Sequence, residues 1–306
     1  MNRQFLVASL VLAIIFGAFV FLYGENRQIQ PALATVPVTT SFYPMYFFTK
    51  EIGGSFVTVT NITPPGAEPH EYEPTTQDIT SISESKALIL NGTVEVWGEK
   101  ITKLVEGSGV SVVVAGEGLQ SQSMEEEGMK QSDPHVWLDP LLAKVEVERI
   151  AEALMTLDPV HAAEYQENRD TLLQRLDRLH VQYVEGLLSC RSRDIVTSHS
   201  AFAYLASRYN LRQVSIAGLS PDQEPSAKEL ALVSDFAKKN NVHYIFFESL
   251  VSPKLAETIA KEVGAQVLVL NPLEGITDEE AVAGRDYFSV MQDNLKNLQI
   301  ALQCKM

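Results

Sequence analysis

Short apolar runs rich in β-branched residues alternate with helical stretches twice along this chain, and this alternation constrains the fold more than any other feature. The predicted strands of the first half are Val36–Thr39, Phe56–Ile62, Ala87–Leu90 and Val110–Val114. Those of the second half are Asp194–Thr197, Val214–Ala217, Tyr244–Phe247 and Gln266–Leu270. Strands that alternate with helices are typical of parallel sheets covered by helices. We therefore predict an α/β protein with two lobes, each a small parallel sheet flanked by helices.

Helices are predicted between these strands and after the last one. They are Pro44–Ile52, Thr76–Ser85, Val96–Val105, Ala201–Tyr209, Ser226–Asn240, Pro253–Val263 and a mostly helical terminal segment, Asp278–Gln303. A long helical region from about Pro140 to Leu188 separates the halves, and Asp158-Pro159 interrupts it because Pro favours the first turn of a helix. We predict an N-terminal lobe at 36–157, a linking backbone helix at 158–189 and a C-terminal lobe at 190–306. Residues 116–132 are predicted to form a polar loop.

The amino-terminal segment indicates export. Phe5 to Tyr23 contains no charged residue, and about 20 apolar residues suffice to span a bilayer as a helix. Arg3 precedes this run and Glu25 follows it, an asymmetry that places the rest of the chain outside the cytoplasm. A possible cleavage sequence, Ala32-Leu33-Ala34, lies far from the run. We therefore favour an uncleaved anchor at residues 5–23 within an anchor or signal segment and leader at 1–35, on the cell surface or in the periplasm.

The charge of the chain argues against nucleic-acid binding, and its cysteine content argues against a metal–thiolate site. The formal net charge is −15, and no Lys/Arg block occurs, so nucleic-acid binding is not predicted. Cys190 and Cys304 are the only cysteines, too few for a metal–thiolate site. In an oxidising compartment they pair, and otherwise they remain two free thiols. The sequence leaves both alternatives open.

Four side chains with metal-binding groups follow predicted strands. His70 and His135 lie in loops of the first half, whereas His199 and Glu274 come just after strands of the second half. Ligands of open parallel sheets bind beyond the carboxyl ends of the strands, so we expect the four groups to meet between the lobes. Three imidazoles and one carboxylate suit Zn²⁺, because Mn²⁺ and Mg²⁺ prefer more oxygen ligands.

The other polar groups are interpreted differently. His161 and His180 are predicted to be surface residues of the helical region, and His243 to be structural. Glu248 is a candidate for orienting a ligand imidazole or for capping a helix. The acidic run Glu125–Glu127 is either a metal-collecting loop or a solvated run of charge, with solvation favoured.

Six stretches carry a resemblance to a known family. They are PPGAEPHEYEPTTQDI, DPHVWLDP, VTSHSAFAYLASRYNL, GLSPDQEPSAKEL, FFESLVSPKLAETIA and LNPLEGIT. In this order they resemble the zinc/manganese solute-binding receptors of bacterial ABC importers, the group called cluster A-I or cluster 9. The resemblance covers residues 36–304. It implies a receptor that captures Zn²⁺ between two lobes joined by one long helix and delivers it to an ABC permease.

The resemblance also implies the metal ligands. The family's first two histidines fall on His70 and His135. Its third ligand is commonly His in zinc receptors and Glu in manganese receptors, and this chain has His199. The Glu of the LEG turn falls on Glu274, whereas other branches place an Asp where this chain has Asn271. The resemblance therefore favours the zinc-type branch, with a manganese receptor as the alternative.

The chain departs from the family pattern at two places. The loop before DPHVWLDP has no His, and the amino terminus has no Cys to accept a lipid; a helix at residues 5–23 would serve as anchor instead.

A surface adhesin of the same fold is an alternative. A zinc hydrolase is disfavoured because neither H-E-x-x-H nor G-x-S-x-G occurs. We expect a monomeric binding protein and not an enzyme.

Overall fold

The computed structural model describes residues 35–126 and 129–305. The predicted anchor at residues 5–23, the rest of residues 1–34, and Glu127 of the acidic run lie outside the described residues. Within the described ranges, no helix combines the length and the apolar character needed to cross a membrane. Residues from 35 onward form one compact unit.

The first half folds around a sheet of four parallel strands. These are β1 (Val36–Thr40), β2 (Val57–Asn61), β3 (Ala87–Leu90) and β4 (Ser111–Val114). Their order is β2-β1-β3-β4, and all three pairings are parallel. Every side chain of β3 is buried, as expected for an uninterrupted apolar run in a parallel sheet covered on both faces. The carboxyl ends of all four strands therefore meet at one edge.

Three helices cover this sheet at the predicted positions. They are α1 (Tyr43–Gly53), α2 (Thr76–Glu84) and α3 (Gly98–Val105). At the start of α2, the Thr75 hydroxyl accepts from the Asp78 backbone while the Asp78 carboxylate accepts from the Thr75 backbone. This capping box satisfies amide groups that the helix leaves without partners.

The segment 116–132 contains a hairpin, so the prediction of a loop without regular structure was wrong there. Strands β5 (Ser123–Glu126) and β6 (Met129–Ser132) pair antiparallel. Neither strand contains a β-branched or aromatic residue. The compositional signal on which strand prediction depends is therefore missing from both.

Two long helices follow the hairpin. They are α4 (Pro140–Leu157) and α5 (Ala162–Gly186), separated by a 3-10 turn at Pro159–His161. The interruption at Asp158-Pro159 is thus where the sequence predicts it. Helix α5 has 25 residues, about 37 Å at 1.5 Å per residue. Leu172, Leu176, Leu179 and Tyr183 are buried along one face of α5, in agreement with their helical spacing.

The second half contains another four-stranded parallel sheet. Its strands are β7 (Asp194–Thr197), β8 (Arg212–Ser215), β9 (Tyr244–Phe247) and β10 (Gln266–Val269), in the order β10-β9-β7-β8. Its helices are α6 (Ala203–Arg208), α7 (Ala227–Lys239), α8 (Lys254–Val263), α9 (Asp278–Val282) and α10 (Tyr287–Ala301). Both sheets are parallel and flanked by helices, so the predicted α/β class is confirmed.

Two boundaries in the second half differ from the predictions. Strand β8 starts at Arg212, two residues before the predicted Val214, because Arg212 pairs in register with Asp194 and forms an ion pair with its carboxylate. The terminal helical segment is divided into α9 and α10. Gly284 adopts φ +71° between them, and Asp286 caps α10 by accepting from the Ser289 backbone.

The packing between the halves is continuous. One buried apolar cluster includes side chains of both sheets, such as Val38 and Ile195, and of both long helices, such as Val147 and Leu172. A disulfide between Cys190 and Cys304 joins the end of α5 to the carboxyl terminus, which decides the pairing that the sequence leaves open. The lobe boundaries at 36–157, 158–189 and 190–306 stay a prediction.

Candidate metal centre

The structure brings together all four side chains predicted to form one site. His70 lies in the loop after β2, His135 at the start of the 3-10 turn Val136–Leu138, His199 two residues after β7, and Glu274 in the loop after β10. Each offers one ligand atom, and these four atoms lie within 4.8 Å of one another. Both sheets contribute, since parallel strands bring their following loops to one edge.

The separations match the size of a zinc coordination shell. Glu274 Oε1 lies 3.2 Å from His70 Nε2, 3.0 Å from His135 Nε2 and 3.2 Å from His199 Nε2. The Nε2 atoms of His135 and His199 are 3.4 Å apart. Tetrahedral ligands at about 2.0–2.1 Å from Zn²⁺ are separated by about 3.3 Å. The donor set and its spacing therefore fit a zinc ion.

Burial makes this cluster electrostatically demanding. His135 and His199 are fully buried and Glu274 is 1% exposed, whereas the His70 side chain is 11% exposed. Burial alone would raise the pKa of Glu274, but the charge of His199 and hydrogen bonds from the imidazoles outweigh it and hold the pKa well below its usual value. Glu274 Oε2 is buried without a hydrogen-bond partner among the described residues, so a cation has an anionic acceptor available.

Carboxylates behind the ligands orient two of the imidazoles. Asp133 Oδ1 accepts from both the backbone N–H and the Nδ1–H of His135, at 2.9 and 2.8 Å. Glu248 Oε1 accepts from the backbone N–H and the Nδ1–H of His199, at 3.3 and 2.7 Å. With Nδ1 donating, the lone pair of each Nε2 points into the centre, as a metal ligand requires. The role suggested for Glu248 by the sequence matches its position.

The same carboxylates set the proton affinity of the two rings. Burial would lower the pKa of His199, but Glu248 and Glu274 outweigh it and raise the pKa well above its usual value. His135 behaves alike: burial lowers its pKa, whereas Asp133 and Glu274 raise it overall. Cation binding therefore competes with proton binding at both rings.

His70 is held differently. Glu68 Oε1 accepts from its backbone N–H at 3.1 Å, and the ring contacts Glu274 through Nε2 alone. Glu68 is half-buried, and burial followed by the nearby charge of Glu274 raises its pKa to about 9. A backbone hydrogen bond from Gly66 N–H to the Ile276 carbonyl, 3.1 Å long, joins the His70 loop to the loop after β10.

Asn271 shapes the turn that carries Glu274. Its Oδ1 accepts from the backbone N–H of Leu273 at 2.7 Å, and its Nδ2 donates to Ser249 at 2.7 Å. Leu273 adopts φ +58°, a conformation that costs a non-glycine residue free energy and needs such support. Asn271 therefore positions the ligand loop from outside the cluster.

Trp137 and Tyr287 fasten the loops of the two halves together behind the cluster. The Trp137 ring N–H donates to the Pro272 carbonyl at 2.8 Å, and the Tyr287 hydroxyl donates to the Trp137 carbonyl at 2.6 Å. All three are fully or largely buried. The site is consequently built into the shared core.

The remaining histidines lie elsewhere. His161 is half-buried, donates to Asp158 at 2.7 Å and stacks on Phe56. His180 contacts the Tyr209 hydroxyl. His243 is exposed, so the interpretation of it as a structural residue was wrong: it lies before β9, outside the buried part of the strand. None of the three joins the cluster.

Sequence reasoning missed the positioning roles of Asp133, Glu68 and Asn271. Each precedes a proline by one residue and accepts from the N–H of the residue after that proline. A side chain with an oxygen acceptor before Pro is a recognisable turn signal. This signal is present in Glu68-Pro69-His70 and in Asp133-Pro134-His135.

Comparisons with known proteins agree with this geometry. A family model described as "ZnuA: Zinc-uptake complex component A periplasmic" matches residues 38–301. The zinc-binding protein AdcA of Streptococcus pyogenes serotype M3 is 38% identical over 92% of this chain and 59% of its own length. The chain thus spans about three fifths of the length of that relative. The high-affinity zinc uptake system protein ZnuA of Bacillus subtilis is 39% identical over 88% of each chain.

A solved structure agrees as well. The crystal structure of the Zn(II)-bound ZnuA-like domain of Streptococcus pneumoniae AdcA aligns with a TM-score of 0.76 at 37% identity. The alignment covers 88% of this chain and 99% of that domain. The similarity thus extends over a complete domain of that protein.

Proposed function

This chain belongs to the ZnuA family of periplasmic zinc-uptake components, and we propose that it is an extracytoplasmic receptor that captures Zn²⁺ with His70, His135, His199 and Glu274. The observation that carries the proposal is the convergence of three imidazole nitrogens on one carboxylate oxygen at 3.0–3.2 Å. Zn²⁺ is the cargo of this receptor, bound and then released unchanged.

The donor set favours zinc over manganese. Three nitrogen ligands and one carboxylate suit Zn²⁺, whereas Mn²⁺ prefers sites richer in oxygen. Three neutral imidazoles and one carboxylate leave one positive charge on the bound ion. The carboxylates of Asp133 and Glu248, each bonded to a ligand ring, offset that charge from behind.

Four protein ligands also favour binding over catalysis. A catalytic zinc site keeps a position open for water, next to a general base. Here Glu274 takes the fourth position, and Asp133 and Glu248 are occupied by imidazole hydrogen bonds. The family is one of solute-binding receptors, and we propose no reaction on a substrate.

Delivery requires a membrane partner. As a member of a family of zinc-uptake components, the chain would hand its ion to an ABC permease, and we propose that it does so as a monomer held to the membrane by residues 5–23. The two lobes would be residues 36–157 and 190–306, on either side of the linking segment 158–189. The core shared by both sheets favours release through small loop movements over a wide hinge opening.

Native mass spectrometry tests the proposal. The full-length protein would be mixed with equal Zn²⁺ and Mn²⁺, alongside His199→Ala and the control His243→Ala, whose side chain is exposed and outside the cluster. We expect one Zn²⁺ on the wild type and the control, and weak or no binding to His199→Ala. Preference for Mn²⁺ would overturn the metal. Zinc binding indifferent to His199 would overturn the site.

A further inference from the structure

Three turns around the metal centre share one construction. A side chain with an oxygen acceptor precedes a proline and accepts from the N–H of the residue after it. The turns are Glu68-Pro69-His70, Asp133-Pro134-His135 and Asn271-Pro272-Leu273, with acceptor distances of 3.1, 2.9 and 2.7 Å. In two of them the residue after the proline is a candidate ligand histidine, His70 or His135. The hydrogen bonds that hold these two histidines can therefore be compared.

The two histidine turns differ in what the carboxylate holds. Asp133 Oδ1 accepts both the backbone N–H and the ring Nδ1–H of His135. Glu68 Oε1 accepts the backbone N–H of His70 and does not reach the ring. Its other oxygen, Oε2, is buried without a partner among the described residues. His70 Nδ1 likewise bonds to no described residue, so among the described residues the ring is held through Nε2, by Glu274, and not from behind.

We infer that Glu68 is a positioning residue that holds the His70 loop through the backbone while leaving the Nδ1 side of the imidazole without an acceptor, and that its extra methylene relative to Asp sets the rate of metal release. The inference rests on the proposed function. Loss of a side chain that orients a metal ligand typically costs about 10- to 100-fold in affinity. No described carboxylate orients the His70 ring in this way, because Glu68 reaches only the backbone N–H.

Exposure places His70 on the solvent side of the cluster. The His70 side chain is 11% exposed, whereas those of His135 and His199 are fully buried. His70 is thus the ligand next to solvent and also the one whose ring no carboxylate holds. A ligand that leaves first lowers the barrier for the other three, so its freedom determines how quickly the ion departs.

The test is the rate of zinc release. Zinc-loaded full-length protein would be mixed with excess 4-(2-pyridylazo)resorcinol, and the absorbance of the zinc–dye complex followed in time. Glu68→Asp recreates the Asp-Pro-His turn and is expected to slow release roughly tenfold. Glu68→Ala removes the acceptor and is expected to speed release roughly tenfold. Glu68→Gln keeps an oxygen acceptor for the backbone N–H and is expected to match the wild type.

Matched controls separate this role from general effects of charge or folding. Glu71→Asp shortens an exposed carboxylate of the same loop and should leave the rate unchanged. Asp133→Glu makes the reciprocal change and should speed release, with circular dichroism checking the fold of each variant. Release from Glu68→Asp that is no slower than wild type, or Glu68→Gln that behaves like Glu68→Ala, would overturn the inference alone. A wild type that holds no zinc would overturn the proposed function with it.

Discussion

The two sheets supply the metal centre in different ways. On the second sheet the ligands follow closely: His199 lies two residues beyond Thr197, and Glu274 five beyond Val269. On the first sheet the connections are longer, because His70 lies nine residues beyond Asn61 and His135 follows the whole β5–β6 hairpin. A short connection is fixed by the strand before it, whereas a long one needs its own hydrogen bonds. Both histidines of the first half accordingly sit in proline turns closed by the acidic side chains of Glu68 and Asp133. The shorter Glu274 loop also has such a turn, closed by the amide of Asn271.

The two halves also differ outside the metal centre. The second half is closed covalently by the Cys190–Cys304 disulfide. The first half contains a fully buried carboxylate, Glu146, whose Oε1 accepts from Asn91 and whose Oε2 has no partner among the described residues. Burial raises the pKa of Glu146 to about 8. We interpret the second half as the fixed side of the receptor and the first half as the adaptable side.

Removal of the disulfide should have the largest effect on this difference. Replacing both cysteines by Ser frees a loop of 114 residues, and loop-closure entropy predicts a loss of unfolding free energy of about 4 to 5 kcal/mol at most. Urea denaturation of the metal-free protein measures it. The rate of amide hydrogen exchange should rise more in strands β7–β10 than in strands β1–β4. Equal increases in both sheets would show that the disulfide does not distinguish the halves.

Ligand removal should rank the two sides next. His199 is fully buried and held by Glu248, so His199→Ala should weaken zinc binding by more than about 100-fold, or about 3 kcal/mol. His70 is partly exposed and no carboxylate among the described residues holds its Nδ1, so His70→Ala should cost less, on the order of tenfold. Competition titrations against a chelator of known affinity measure both. An equal or larger loss for His70→Ala would break the comparison.

Much of the fold and the convergence of the four candidate side chains could be predicted, for identifiable reasons. Strands such as β3, Ala-Leu-Ile-Leu, are buried on both faces, so their sequences are continuously apolar and easily recognised. The convergence of these side chains could be predicted because parallel sheets bring successive loops to one edge. The β5–β6 hairpin could not be, because its strands lack β-branched and aromatic residues and its pairing depends on tertiary context.

Some supporting contacts could not be predicted because they join residues that are far apart in the sequence. The sequence offers Glu248 as a candidate for orienting an imidazole, but its partner His199 lies 49 residues away and is joined to it by a 2.7 Å hydrogen bond, so spacing does not reveal which ring it orients. Glu146 occupies a helix whose pattern marks it only as a buried position. Its hydrogen-bond donor, Asn91, lies 55 residues earlier in a loop of the first sheet. Sequence patterns predict which edge carries the site, whereas the second layer of contacts needs coordinates.

The buried carboxylate predicts a pH dependence of stability in the first half. In the folded protein Glu146 keeps its proton up to about pH 8, whereas in the unfolded chain it ionises near its usual value of 4.5. The unfolded state therefore binds fewer protons between these values, and the free energy of unfolding falls as pH rises through this window. Glu146→Gln keeps the acceptor for Asn91 and removes the ionisation, so it should stabilise the protein at pH 7 by roughly 3 kcal/mol.

Urea denaturation across pH 5 to 8 checks this expectation. Glu148→Gln is the matched control, since Glu148 is exposed two positions further along α4 and should leave the pH profile of the wild type unchanged. The difference in stability between Glu146→Gln and wild type should shrink towards pH 5. A constant difference at every pH would indicate a packing effect, and the first half would then not carry the predicted ionisation.

The smallest effect is expected at Asn271, where relatives of the other branches place an Asp. Asn271→Asp keeps an oxygen for the Leu273 N–H, and Ser249 can turn its hydroxyl to donate, so the cost should be about 1 kcal/mol or less. Because that oxygen is already engaged, the new carboxylate should stay outside the centre. Zinc affinity should change less than about threefold, and Asn271→Asp should not rescue Glu274→Ala. Rescue would mean that a carboxylate can enter from the second-sheet side, and that this side adapts as readily as the loops of the first.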